Sequence, residues 1–496
     1  MDGASIQTGW RRALIALLAA FGFALTLFVF WPGVMTYDAL YVYKAIAEGE
    51  VGDWQSPVMT ALWALIDPIA PGAGSLLLLT AALYWSGFAL IGATLARRSF
   101  RLGTVGVLLA FMPPAFMFVG IIWRDVLFAA VWLFAVALVL AAADMRAALR
   151  LPVQIVAIAL IVLGVTLRTN ALFAAPVLIA YALWPRRFAW KRAAILYLPA
   201  VLALYGLVQV VYYDLLGAMR QHPLHSLYVF DLGGITHFTG KNQFPVKWTP
   251  AEQQRLVTDC YDRLWDVYWH DRRCEFVMER LENEQAVFGT PALGAAWRHA
   301  LLAHPLAYLA HRFAFMGGFL GGENFTIWTQ DLKDGSKIAL PDNSGFVALL
   351  KVHAALKPTP LFRAWLWLLL SVGVFGLACR RTSPLPNPPP HAAEGDARQR
   401  DGWGKPPLQP AFSLPPCGGG SERGLNDRKP SPRFYEIPSG AFARAMSGSA
   451  IIYVLTYLPF GVAPDFRYAY WAVLAALTGG VALILRSGAL TSGYCA

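Results

Sequence analysis

The sequence predicts an all-α protein that crosses a membrane many times. Three observations carry that expectation. Of 496 residues, 57 % are hydrophobic and only 14 % charged, and the mean hydropathy is +0.48, more apolar surface than a soluble chain of this length needs. The apolar residues fall into runs approaching the roughly 20 residues that span a bilayer. The formal net charge of +11 is scattered in short Lys/Arg clusters between those runs. That is the pattern of cytoplasmic loops under the positive-inside rule, and it argues against a nucleic-acid partner.

Taken in order, the first run (residues 13–30, behind Arg11-Arg12) lacks a convincing small-residue cleavage site and reads as an uncleaved anchor. Residues 31–63 then lie outside. Asp38 stands just past the first helix, a helical-looking run 39–47 follows, Gly49 and Gly52 break it, and Asp53-Trp54-Gln55-Ser56-Pro57 leads into a run (57–70) too short to span and expected along the surface. Residues 75–96 return to Arg97, Arg98 and Arg101. Residues 102–122 go out, kinked at Pro113-Pro114, and 126–143 come back to Arg146 and Arg150. Runs 153–167 and 171–184 flank Arg168-Thr169-Asn170 and return to Arg186, Arg187, Lys191 and Arg192. Run 193–213 exits.

A mixed segment, 214–360, is expected outside. Within it, 306–320 is placed at the interface, because His311 and Arg312 sit in its middle and a true span there would put Arg380-Arg381 on the outer side. Runs 361–378, 448–462 and 468–485 complete about ten helices with both termini cytoplasmic. The expected organisation is a membrane core (1–213), an extracytoplasmic segment (214–360), one helix (361–381), an insert (382–435) and a C-terminal hairpin (436–496). The insert holds twelve prolines between Thr382 and Pro432 and almost no aliphatic side chains. It cannot bury enough surface to offset chain entropy, so a disordered cytoplasmic insert is expected, with a proline-rich docking segment as the alternative.

This path puts Asp38, Asp53, Arg124, Asp125, Arg168, Asn170, Asp465 and Arg467 all on the outer side, which the charge rule does not require. An ionisable group facing a cavity at the bilayer surface is by default a functional-site hypothesis. The plain alternative is that Asp38 and Asp125 serve only as acids in the first turn of a helix, favoured by its dipole. Arg124 and Asp125 are adjacent on a helix and point in different directions, so one can meet a phosphate while the other faces a sugar. Arg168 either snorkels to outer headgroups or offers a fork for phosphate. Arg467, in Asp465-Phe466-Arg467-Tyr468, poses the same choice.

Cys260 and Cys274 lie in the outer segment, where oxidation is permitted, and are expected to pair. Zinc is not favoured there, since His270 is the only imidazole nearby. His304, Tyr308 and His311 share a helical face, read as an interfacial helix with imidazole catalysis as the minor option. There is no Walker loop, dinucleotide fingerprint, HExxH or GxSxG. No Asp-X-Asp pair is present either. No cofactor is expected; a divalent metal is compatible but not indicated.

Asp38 in the first outer loop, Gln55-Ser56-Pro57 leading into a short helix, Asp125 at the second outer loop, the Arg168-X-Asn170 pair and the late Asp465-Phe466-Arg467-Tyr468 together resemble the GT-C superfamily of membrane glycosyltransferases. The likeness is to bacterial enzymes related to the aminoarabinose and protein O-mannosyl transferases, and it covers the helical core, about two thirds of the chain. Gln55 stands where relatives often place His or Lys. The resemblance implies a GT-C-like helical bundle in a bacterial inner membrane and a polyprenyl-phosphate sugar as donor. The acceptor would be a lipid, glycan or protein at the outer face. Asp38 would be the base and Asp125 would orient the acceptor or the base. Asp53, Gln55, Arg124, Arg168, Asn170, Asp465, Arg467 and Tyr468 would contact substrate, with Arg168 and Arg467 neutralising the leaving phosphate. The rival expectation from the same residues is a multi-pass transporter or lipid-linked sugar flippase, although no pair of inverted repeats is evident.

Overall fold

The structure is a computed structural model that describes residues 3–143, 145–186, 188–322, 340–380 and 439–491. It is all-helical, and among the described residues the only β-type pairings are two isolated bridges, Val34 with Ile121 and Gly52 with Met219. Residues 1–379 and 437–496 form one compact unit, so the segment 214–360 belongs to the same unit as the helices around it. The expected insert 382–435 lies outside the described residues.

Seven helices among the described residues are long and apolar enough to cross a membrane: Gly9–Phe30, Ala73–Ala96, Arg124–Ala142, Ala147–Leu167, Trp190–Leu215, Ser439–Phe460 and Phe466–Leu485. Three of the ten expected spans are shorter. Residues 102–122 do not continue as one kinked helix. Phe100–Leu108 passes through a 3-10 turn, Pro113 opens the four-residue helix Pro113–Phe116, and the chain then runs irregularly to Trp123. Proline supplies no N–H to the preceding turn, and the freed backbone pairs sideways: Val34 donates to Gly120 at 2.9 Å and Ile122 donates to Val34 at 2.9 Å. Residues 171–184 divide into a 3-10 turn, Thr169–Phe173, and a helix of 9 residues, Ala175–Leu183, started at Pro176. Ala364–Cys379 is helical for 16 residues.

One helix starts earlier than its hydropathy suggested. Ser439–Leu455 begins well before residue 448 and contains Arg444. That guanidinium donates to the carbonyls of Ala378 at 3.0 Å and Phe188 at 3.3 Å. Both acceptors stand at or beside the ends of neighbouring elements, where carbonyls lack intrahelical partners.

The core is centred on Arg124–Ala142, whose apolar window is 89 % buried, against 11 % for Trp190–Leu215 at the periphery. It packs against Ala73–Ala96 and Ala147–Leu167. Lipid is as apolar as leucine, so close approach and satisfied polar groups must hold such helices together. Gly164 allows both: the Trp132 indole lies where a Cβ on residue 164 would stand, and its Nε1 donates to the Ile161 carbonyl at 2.9 Å.

Gly164→Val is therefore expected to overpack this contact and cost about 1–3 kcal/mol. Gly206→Ala, with nothing within 4 Å of the added carbon, should be neutral or stabilise by up to about 1 kcal/mol. Thermal unfolding of the two variants in detergent checks this. Equal melting temperatures would show that the Trp132 contact is slack.

Candidate functional site

The site is assembled from helix ends that meet at one end of the bundle. Asp38 is the second residue of Tyr37–Glu48. Its N-cap, Thr36, makes no side-chain cap, because its hydroxyl instead accepts the Trp123 indole N–H at 2.7 Å. Ser56 caps Pro57–Ile66 by accepting from the Met59 N–H at 3.1 Å, and donates to the Thr166 carbonyl at 2.9 Å. That bond ties the Gln55 loop to the end of Ala147–Leu167, just before Arg168. Asp465 accepts from the Arg467 backbone N–H at 2.9 Å and so starts the turn carrying Arg467.

Three guanidiniums and three carboxylates converge there. Arg168 Nε is 2.9 Å from Asp125 Oδ1, with both side chains under a tenth exposed. Arg467 Nη1 is 2.8 Å from Asp38 Oδ2, and its Nε is 3.3 Å from Asp465 Oδ2. Gln55 reaches Asp38 at 3.4 Å. The Tyr468 ring lies between the two paired arginines, 4.7 Å from Arg168 and 5.0 Å from Arg467. Arg467 also lies 4.7 Å from the Trp123 ring, and Arg168 donates to the Tyr457 hydroxyl at 3.1 Å.

Arg124 differs from the other two. Among the described residues it has no carboxylate at ion-pair distance, and its Nη1 makes a long contact of 3.4 Å to the Trp54 carbonyl. It shares a small pocket with Asp38, Gln55, Met59, Trp123 and Asp125, with about 210 Å³ of open space including the mouth. Most of that space is open solvent at the mouth, and the enclosed part holds about one water molecule. A sugar phosphate requires the pocket to open further.

Asp53 stands apart from the pocket. Its carboxylate accepts from the Tyr213 hydroxyl at 2.7 Å and from the Gln221 backbone N–H at 2.6 Å, fixing the loop to the segment after Trp190–Gln209. Asn170 sits half-buried on the 3-10 turn after Arg168, and among the described residues its side chain bonds to none of the groups above. Cys260 and Cys274 are joined in a disulfide. The loop they close carries Trp265, whose N–H donates to the Val462 carbonyl at 2.9 Å. His311 is buried beside Asp231 and does not line the pocket. Among the described residues no group of three or more His, Cys, Asp or Glu is placed to hold a metal ion.

The partners that sequence reasoning missed are Trp123, Tyr457, Tyr213 and Gln221. They are ordinary aromatic and amide residues, and only contact across the fold distinguishes them.

The electrostatics separate two carboxylates. Burial pushes the Asp38 carboxyl up, but Arg467, Arg124 and Arg168 outweigh it and hold it below its ordinary value. Asp38, with 36 % of its side chain exposed, is thus an ionised group open to the pocket. Burial pushes Asp465 up to about 6 despite Arg467 beside it. No protein-family model, curated protein or solved structure matches this chain.

Arg168→Met should leave the buried Asp125 unpaired and cost about 3–5 kcal/mol, while Asp125→Leu with Arg168→Met should recover most of it. Unfolding midpoints of the single and double variants test the pair; equal losses would mean that Asp125 is not desolvated. A second expectation follows from Asp465. Its folded-state pKa lies above the unfolded 3.8, so the folded protein keeps a proton that the unfolded chain releases. Stability from this group falls as pH rises from about 4 to 6. The melting temperature of Asp465→Asn minus that of the parent should therefore grow across that window, and a flat difference would overturn the assignment.

Proposed function

We propose that the protein is a membrane glycosyltransferase that moves a sugar from a polyprenyl-phosphate donor to an acceptor at the outer face of a bacterial inner membrane. One observation carries this reading. A part-exposed, ionised carboxylate, Asp38, shares one pocket with Arg124, the one of the three guanidiniums that has no carboxylate at ion-pair distance among the described residues.

Asp38 takes the proton of the acceptor hydroxyl. The acceptor oxygen attacks the sugar's anomeric carbon as the bond from that carbon to the phosphate oxygen breaks, inverting the centre. The electron pair leaves on the phosphate, where Arg124 meets the developing charge. Arg168 and Arg467 are already held by Asp125 and by Asp38 with Asp465. Their part is first to fix Asp125 and Asp38; a direct phosphate contact requires them to exchange partners.

The same basic clusters that oriented the apolar runs in the sequence support this orientation. Ala73–Ala96 ends at Arg97 and Arg98, Ala147–Leu167 begins after Arg146, and Trp190–Gln209 begins beside Lys191 and Arg192. Those basic ends are opposite the ends that build the site. Under the positive-inside rule they are cytoplasmic, which puts the site outside. In this reading the shorter apolar helices Phe100–Leu108, Ala175–Leu183 and Ala364–Cys379 complete the ten passes, with 214–360 on the outer side.

The test supplies membranes with labelled polyprenyl-phosphate sugars and follows label into a new glycoconjugate. Asp38→Asn should lower turnover about 10²–10⁴-fold, and Arg124→Gln should lower kcat as well as raise the donor KM, because the developing phosphate charge loses its guanidinium. Asp38→Asn transferring at the parent rate overturns the base. A flippase built on the same charges would move lipid-linked sugar across the bilayer without any covalent transfer.

A further inference from the structure

A second buried charged cluster lies beside the site without lining the pocket. Asp231, on Leu224–Thr239, is fully buried, and His311 and Arg312 of Pro305–Gly321 are each 1 % exposed. Asp231 Oδ1 pairs with Arg312 and lies 3.5 Å from His311 Nε2, while its Oδ2 accepts the Trp297 indole N–H at 2.7 Å. A buried ion pair is often no more stabilising than well-packed apolar residues of the same volume. Fold stability alone is therefore a weak account of this one.

The guanidinium has another duty. Arg312 Nη1 donates to the Gly461 carbonyl at 2.6 Å, and the next carbonyl, Val462, is taken by the Trp265 N–H at 2.9 Å. Phe315 fills the space where a Cβ on residue 461 would stand. Two consecutive carbonyls and one absent side chain thus pin the start of segment 461–465. The backbone is extended at both ends of that segment, and its short length limits how far its other end can move, since each residue spans at most about 3.3–3.6 Å. Its far end is Asp465, which caps the turn presenting Arg467, and Arg467 reaches Asp38 at 2.8 Å.

We propose that Arg312 and Asp231 are positioning residues: through the Gly461 carbonyl they set the reach of segment 461–465, and so hold Arg467 against Asp38. The proposal rests on Asp38 being the reacting carboxylate. The geometry makes the α-helical pair Leu224–Thr239 and Pro305–Gly321 a template for a site that neither helix enters. It also gives the disulfide-closed loop a share in the same placement, through Trp265 and Val462.

The test reads the ionisation of Asp38 directly. Protein labelled with ¹³C-aspartate is placed in lipid nanodiscs and titrated, and the Asp38 carboxyl signal is assigned by its loss in Asp38→Asn. The charged groups around Asp38 are Arg467 and Asp465 from the late turn, Arg124 and Asp125 from Arg124–Ala142, and Arg168 after Ala147–Leu167; Gln55 adds a hydrogen bond. All stay unchanged in the decisive variants.

As the reference, Arg467→Gln should raise the Asp38 midpoint by about 1–3 units. Asp231→Leu with Arg312→Met removes the ion pair and the donor to Gly461, and should raise the midpoint in a protein that still folds. Asp231→Asn alone keeps Arg312 and its Nη1 donor to the Gly461 carbonyl, and should leave the midpoint at the parent value. An apolar pair that folds with an unchanged midpoint overturns the proposal. Should that pair not fold, Arg312→Lys decides, because its single ammonium can satisfy Asp231 without the fork that also reaches Gly461. A raised midpoint then supports the proposal and an unchanged one overturns it. The titration needs no transfer, so a parent that moves no sugar from any donor counts against the glycosyltransferase reading and leaves the positioning result standing.

Discussion

The contact on which the site's arrangement depends is the ion pair between Arg467 and Asp38. It joins positions 429 residues apart, the first loop after the N-terminal helix and the turn that opens the last apolar helix. In water such a pair would contribute little. Here both partners stand at helix ends, with Trp123 and Tyr468 against the guanidinium, and the surrounding protein lowers the effective dielectric. Arg168 and Asp125 make a parallel bridge between the ends of two further helices. The two pairs share the Tyr468 ring, so the end of the bundle is closed by a connected layer of charge and aromatic face.

That layer is nearly balanced in sign. Arg124, Arg168 and Arg467 face Asp38, Asp125 and Asp465, and the last of these is the carboxylate that burial moves toward the neutral form. In the proposed reading an incoming anion meets Arg124, which among the described residues has no carboxylate at ion-pair distance, and the small pocket must open to admit it.

Much of the fold was legible because hydropathy is a property of runs. Gly9–Phe30, Ala73–Ala96, Arg124–Ala142 and Ala147–Leu167 could be placed from apolar residues and flanking arginines alone. The failures have local causes. Pro113-Pro114 breaks a run that stays apolar throughout, since hydropathy does not register a missing N–H. Arg444 disguised the start of Ser439–Leu455, because its acceptors, Ala378 and Phe188, come from distant parts of the chain. At the site, Asp38, Gln55, Arg124 and Asp125 could be singled out as polar groups at the ends of apolar runs. The pairing of Arg467 with Asp38 could not, nor could the contact of Arg168 with Tyr457, since side-chain partners that far apart leave no periodic trace. His311 and Arg312 are buried against Asp231, a carboxylate that hydropathy could not connect to them.

The peripheral helix Trp190–Gln209 has a consequence of a different kind. It is the least buried of the long apolar helices, and its continuation carries Tyr213, whose hydroxyl holds Asp53 in the loop that leads to Gln55. A helix in contact with lipid answers a thicker or thinner hydrocarbon layer by tilting. Because its continuation ends in a bond to the loop beside the pocket, bilayer thickness becomes a mechanical input to the surroundings of Asp38. The lipid in which the protein sits is in that sense part of the architecture of its mouth.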